Sequence, residues 1–262
     1  MYLEHLNWQQ AGRVLTRSDI VAVIPVGSTE QHGDAGPLGT DWLIPQEFCR
    51  RLNESDPEGV VITPVVPFGV ATHHVNFPGT IDLGLDVMSL VMNRIFASLF
   101  HHGVRRFVVI NGHGGNDPAI EQAALKFYRK GALCALIDWW SIAPKINSAW
   151  VTGHGDAQEI AAVMAFREDL IDKSSIRDTV VTPVSEDMPQ VHINTSLFEG
   201  APVKIIREIR DTTSTGGLGG LPSTAATKKW GVEMMDGVSG WIYRFVQKFK
   251  TLDLPQHPWP EP

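Results

Sequence analysis

The chain has 262 residues, 43% of them hydrophobic and 19% charged, with 22 Lys and Arg against 29 Asp and Glu for a formal net charge of -7. That is enough chain to bury a substantial core as one domain, residues 1–262, and it excludes a disordered polypeptide. An acidic balance without a basic run leaves no footprint for nucleic acid or an anionic membrane, so a small neutral or cationic substrate fits better as partner.

Met1–Gln10 lacks the basic-then-apolar order of a secretion signal. Ile20–Val26 (IVAVIPV) is a short apolar run ending at glycine, the pattern of a strand buried on both faces of a parallel sheet. Similar runs follow at Val60–Val66, Phe107–Ile110 and Ala132–Ile137. Between them Met88, Val91, Met92, Ile95 and Leu99 recur at helical spacing, and Ile120, Ala123, Ala124 and Phe127 do so again. The second of these helices is punctuated by Asp117 as N-cap, Pro118 at its first position and Gly131 as its stop. Val87–Phe100, interrupted by Ser89, Asn93, Arg94 and Ser98, falls short of the ~18 consecutive apolar residues of a membrane span.

Another helix is predicted from Gly155 or Asp156 to about Arg167. The Thr/Val/Pro-rich stretch Ser174–Thr215 matches neither period, and Gly216–Gly220 (GGLGG) reads as a flexible loop. A final amphipathic helix is predicted over Gly231–Phe249, before a proline-rich tail, Pro255–Pro262. Alternation of strand and helix as far as Trp140 predicts an α/β fold with a mostly parallel central sheet covered on both faces. Cys49 and Cys134 have neither metal nor disulfide-framework spacing and read as buried free thiols. With no leader, the chain reads as cytoplasmic, and the sequons at Asn53 and Asn194 as chance matches.

In open parallel sheets ligands bind beyond the carboxyl ends of the strands. Those ends carry the unusual polar residues: Gly27 to Gly33 with Glu30 and His32, Gly69 to Thr80 with His73 and His74, Asn111 to Asn116 around His113, and Asp138-Trp139-Trp140. Glu30 and His32, two apart in an extended segment, point to the same side. With Asp41 and His113 they make a set of oxygen and imidazole ligands suited to Zn or Mn. His154 and Glu159 add a further histidine and carboxylate, and two imidazoles with three carboxylates are enough for a two-metal site. Each has a plainer role available: Asp41 as a helix cap, His113 as a turn histidine. Glycines at 27, 33, 112, 114, 115, 153 and 155 favour the site, because they suit backbone pressed against a ligand. His101 and His102 sit at a helix end and are assigned no chemistry; nor are His5, His192 and His257.

Val26-Gly-Ser-Thr-Glu30-Gln-His32-Gly, Asp41, Phe77-Pro-Gly-Thr80, Asn111-Gly-His113-Gly-Gly-Asn116, His154-Gly-Asp-Ala-Gln-Glu159, Gly220-Leu-Pro and Ala226-Thr-Lys-Lys-Trp-Gly231 together resemble the creatininase (creatinine amidohydrolase) family, over about Glu4–Phe249. The resemblance implies a three-layer αβα sandwich, usually a homohexamer, with two divalent ions, Zn or Mn, in each subunit. It implies that Glu30 and His113 hold one ion, His32 the other, and that Asp41 bridges them. Where creatininase proper has an aromatic residue and a metal-binding glutamate, this chain has Gly114 and Gly115, and Glu159 looks like the replacement ligand. His154 matches the family's proton shuttle. Trp140 and Trp150 resemble the aromatic residues that close over substrate, and His74, Gly114 and the Phe77–Thr80 loop would line the pocket.

The expected activity is metal-dependent hydrolysis, opening a small cyclic amide or related carbonyl compound with a hydroxide shared by the two ions. His154, with Glu159, would serve the proton transfers. The family resemblance also admits ring opening of a cyclic polyol ketone of the oxidised-inositol type, formamide deformylation, and peptidase activity. A serine or thiol esterase lacks its G-x-S-x-G elbow. A non-catalytic metal-binding protein would fill every coordination position with protein ligands.

Overall fold

The computed structural model describes residues 1–256; His257 and the rest of the proline-rich tail, 257–262, lie outside the described residues. Four strands, β1 (Val21–Val26), β2 (Val60–Ile62), β3 (Arg106–Asn111) and β4 (Leu133–Asp138), form one sheet in the order β2-β1-β3-β4. Every pairing in it is parallel. Successive side chains enter two different cores. Val21, Val23, Val108 and Ile110 face one, while Ala22, Ile24, Val26, Phe107 and Val109 face the other. Burial on both faces is why these strands read as unbroken apolar runs. The second run is cut short at Ile62, with only an isolated Val26–Val66 bridge beyond it. Pro64, which has no N–H to give the ladder, accounts for the break.

Helices α1 (Trp8–Leu15), α3 (Gly84–His101) and α4 (Asp117–Tyr128) cover one face of the sheet. The other is covered by α2 (Thr40–Ser55), α5 (Trp139–Ile146), α6 (Ala157–Arg167) and α8 (Lys228–Lys250). The result is the expected α/β layering of helices, sheet and helices. Phe96, Phe107 and Phe127 interlock in one core, with ring centroids 4.9 and 5.7 Å from Phe96, and Phe48 meets Trp139 in the other at 5.9 Å. Each such ring contributes about 1.5–3 kcal/mol by leaving water.

Helix α6 is buried from Ala157 to Met164. Asp156 caps it, accepting from the N–H groups of Gln158 and Glu159. Gly231 of α8 lies so close that a Cβ there would overlap the Ala161 carbonyl. This close crossing fixes the first turn of α6, and Glu159 with it.

Several boundaries differ from the sequence reading. The N-cap of α4 is Asn116, without a side-chain capping bond, because the Asp117 carboxylate is held instead by the Asn111 amide at 2.8 Å. The unassigned stretch contains a three-stranded antiparallel sheet of β6 (Gln190–His192), β7 (Thr195–Phe198) and β8 (Ala201–Lys204), followed by the short α7 (Ile209–Thr212). Gly216–Gly220 is no loose loop: within it β9 (Leu218–Gly219) pairs antiparallel with β5 (Gly153–His154). Cys49 is buried and free, whereas Cys134 is only partly buried. Among the described residues no helix is long and apolar enough to cross a membrane.

Candidate metal centre

The carboxyl ends of β1 and β3 and the first turns of α2 and α6 converge on one buried cluster. Glu30, His32, Asp41, His74, His113, His154 and Glu159 are all at most 9% exposed. Asp41 enters from the first turn of α2, and two glycines set its position. A Cβ at Gly27 or Gly112 would overlap the Asp41 backbone carbonyl, so only glycine lets the strand ends approach α2 this closely. Gly155, at φ +58° and pressed against Gly33 and His32, brings the His154 loop equally near.

Backbone carbonyls orient the two principal imidazoles. His32 Nδ1 lies 3.0 Å from Glu30 O, which turns Nε2 toward Asp41 Oδ1 at 2.8 Å and Glu159 Oε2 at 3.7 Å. His113 Nε2 lies 2.8 Å from Val70 O, which turns Nδ1 toward Glu30 Oε1 at 3.1 Å and Asp41 Oδ2 at 3.2 Å. A ring with one nitrogen on a carbonyl presents the other as a ligand, the usual outer support of a metal site. His74 Nε2 is 3.2 Å and His154 Nδ1 4.0 Å from Glu30 Oε1.

The charges are tightly balanced. Burial alone would depress the His32 imidazole, but the Asp41, Glu159 and Glu30 carboxylates outweigh it and raise its pKa to about 10. Glu30 and Asp41 likewise overcome burial to hold the pKa of His113 well above its ordinary value. Burial works against the Asp41 carboxylate, yet His32 and His113 hold its carboxyl well below the usual range. Burial, then the nearby imidazoles, lower His74 and His154 to about 3. Burial also pushes Glu159 up to about 8, with His32 opposing and Asp41 adding to the rise.

The donor set fits divalent metal. Glu30 Oε1, Glu30 Oε2 and Asp41 Oδ2 are buried without a hydrogen-bond partner of good geometry, a costly state unless a cation completes it. Three sets of converging donors can hold an ion: Glu30 with Asp41 and His113, His32 with His154 and Glu159, and Glu30 with His74 and His154. His74, expected only on the pocket wall, thus stands within ligand reach. A side chain at Gly115 would strike Val70 O and His113, whereas the Glu159 carboxylate reaches the cluster from α6, 3.7 Å from His32 Nε2.

The cluster floors a cavity of about 350 Å³ lined also by His73, Gly112, Gly114, Trp140, Thr152, His192, Ile193 and Lys204. Two expectations fail here. Trp150 lies in the core with its ring near Gly237 of α8, not on the cavity wall. The Phe77–Thr80 loop is also elsewhere: Arg210 stacks over Phe77 at 4.8 Å, and Gly79 sits against Leu38. Conversely His192, given no role from the sequence, is on the wall.

Gln31 is a further residue the sequence did not single out. Its Nε2 lies 2.9 Å from both His74 Nδ1 and His154 Nε2 and donates to Gly216 O at 3.0 Å, while Oε1 accepts from Gly33 N. Strand β1 ends at Val26, so strict alternation does not hold at 30–32, and Glu30, Gln31 and His32 all reach the cluster.

Imidazoles and carboxylates converging beyond the carboxyl ends of a parallel sheet define an α/β protein with a buried cluster that could hold metal. The chain belongs to the creatininase family, whose model, creatinine amidohydrolase, matches residues 4–246, and it is a hydrolase of that family. It is 26% identical over 200 residues to the creatinine amidohydrolase of Pseudomonas putida, covering 68% of this chain and 76% of that one. It is 37% identical over 109 residues to the mycofactocin precursor peptide peptidase of Mycobacterium tuberculosis (strain CDC 1551 / Oshkosh), covering 38% and 43%. A solved E122Q mutant creatininase of Zn-Zn type superposes with a TM-score of 0.75 at 20% identity, covering 96% of this chain and 98% of that one. A manganese creatininase gives 0.75 at 21%, covering 96% and 99%.

Proposed function

We propose that this chain is a metal-dependent amide hydrolase that opens a small cyclic amide or a related carbonyl compound at a site for two divalent ions, Zn or Mn. The observation that carries the reading is the Asp41 carboxylate, whose two oxygens face different imidazoles, His32 and His113. Glu30, His113 and Asp41 would hold one ion; His32, Glu159 and Asp41 the other. Divalent ions so held polarise a carbonyl oxygen and activate water at neutral pH.

The chain's own residues do the rest. His154 is neutral at pH 7, and the Gln31 amide donates to its Nε2, so the ring proton sits on Nδ1, the atom that would give it to the leaving nitrogen and be reprotonated from the attacking water. Trp140 and Gly114 shape the wall beside it; a Cβ at Gly114 would meet Trp140 Cζ2 only at 3.7 Å, so this glycine leaves usable space. The test is a hydrolysis screen of lactams, formamides, cyclic ketones and short peptides with Zn- and Mn-loaded protein, Asp41→Ala serving as control. Turnover of lactams lost in that variant supports the reading, and turnover of ketones alone overturns it.

A homo-oligomer, a hexamer by the family resemblance, is part of the proposal. Val87 and Leu90, three residues apart on one face of α3, are 49% and 56% exposed, apolar surface that a partner subunit would cover. Sedimentation as a monomer at micromolar concentration would count against it.

A further inference from the structure

We propose that Lys204 binds a carboxylate carried by the substrate, so that the cyclic amide opened here belongs to an anionic class, a lactam that bears a free carboxylate. The proposal deepens the amide-hydrolase reading and rests on it for the bond that is cut.

The three-stranded sheet sets the geometry. His192 pairs with Thr195, and Thr195 pairs with Lys204, so the three residues form one row across β6, β7 and β8. Paired residues in antiparallel strands present their side chains on the same face. Both ends of this row, His192 and Lys204, line the cavity whose floor is the cluster, as does Ile193.

Among the described residues lining that cavity, Lys204 is the one lysine or arginine. Lys173, Lys228 and Lys250 each pair with a carboxylate, whereas Lys204 has no ion-pair partner among the described residues. The carboxylates on the same wall, Asp41 and Glu159, are committed to the cluster. An unpaired ammonium on a cavity wall is free to make a charge-assisted hydrogen bond to a ligand oxygen. His192 adds to it. Its Nδ1 accepts from Ile193 N at 2.9 Å, so the ring proton of the neutral form is on Nε2, as a donor.

The net charge of -7 favours a neutral or cationic substrate at long range. Close to the site the row outweighs it, since a local cation at contact distance acts where the screened field of distant charges does not. Recognition of a carboxylate away from the reacting carbonyl would also orient the amide over the cluster.

The experiment uses the metal-loaded protein with pyroglutamate and pyroglutamamide, which present the same lactam with and without a carboxylate. Binding is measured by calorimetry and turnover by appearance of the primary amine that ring opening frees. We expect the acid to bind at least about tenfold more tightly, the strength of one good charge-assisted contact. Lys204→Met should abolish that preference, read as a rise in KM for the acid until the two KM values converge, and Lys204→Arg should keep it. Equal affinity of the wild type for both compounds, binding of neither, or a preference that survives in Lys204→Met overturns the proposal. If the acid binds more tightly through Lys204 and neither compound is hydrolysed, the carboxylate site stands while the amide-hydrolase reading falls.

Discussion

His32 Nε2 lies 2.8 Å from Asp41 Oδ1, and the other oxygen of the same carboxylate lies 3.2 Å from His113 Nδ1. One side chain therefore joins both halves of the cluster. Asp41→Ala should remove the shared ligand and lower affinity for both ions by more than the 10- to 100-fold typical of losing an outer partner (roughly, by analogy). Glu159→Ala should weaken one ion and spare the other. Metal analysis after dialysis against a weak chelator checks this; equal stoichiometry in both variants would argue against a bridge.

Metal binding should release protons. In the metal-free protein neighbouring carboxylates raise the pKa of His32 to about 10 and hold that of His113 well above its ordinary value, and burial raises Glu159 to about 8, so each holds its proton more tightly than it would in water. Ligands bind as the deprotonated forms, so apparent affinity should climb with pH, about tenfold per pH unit for each proton displaced. The sign for stability follows from the same shifts. A histidine raised from 6.5 to about 10 stabilises the metal-free fold fully below pH 6.5 and loses that contribution as pH rises toward 10. Thermal melts of metal-free protein from pH 6 to 10 should fall, and those of the loaded protein should fall less. Calorimetry in buffers of different ionisation enthalpy counts the protons; heat independent of buffer would falsify the account.

Gly112→Ala should damage the site from outside the ligand set. The new methyl would overlap the Asp41 carbonyl and touch Pro45. We expect a cost of about 1–3 kcal/mol from overpacking, together with weaker metal binding. Gly114→Ala meets only ordinary contact at Trp140 and should leave stability unchanged while narrowing the cavity. Urea unfolding of the two variants side by side separates these outcomes.

Trp150 and Trp140 should behave differently although both resemble substrate-closing aromatics. Trp150 is 7% exposed, its carbonyl accepts from the Gln158 amide, and its ring sits in the core. Trp150→Ala should cost about 3–5 kcal/mol. Trp140→Ala, which removes a cavity wall, should act chiefly on substrate, raising KM about tenfold for the loss of one apolar contact surface. A Trp150→Ala protein with unchanged melting temperature and raised KM would reverse the assignment.

What the sequence made legible follows from burial. The strands of the central sheet are covered on both faces, so composition alone marks them, and the glycine-flanked ligands at their ends stand out against it. Strands β6 to β8 are short and mostly exposed, so neither period marks them, and with them went His192 and Lys204. Gln31 was hidden for a different reason. Its role lies in bonds to His74, His154 and Gly216, residues remote in sequence that only the fold brings together. Trp150 was misplaced because an indole that fills a core and one that covers a ligand look alike in a sequence.

The pairing of β5 with β9 ties His154 to a ladder of two residues a side, Gly153 with Gly219 and His154 with Leu218. Glu30 and His113, by contrast, follow the long central strands. Segments held by so few backbone bonds open at a fraction of the global unfolding free energy. The imidazole proposed to handle protons and the carboxylates proposed to hold metal therefore belong to cooperative units of unequal strength. Amide exchange at Leu218 should outrun that at Val109, and mild heat or denaturant should silence proton transfer while the ions are still bound.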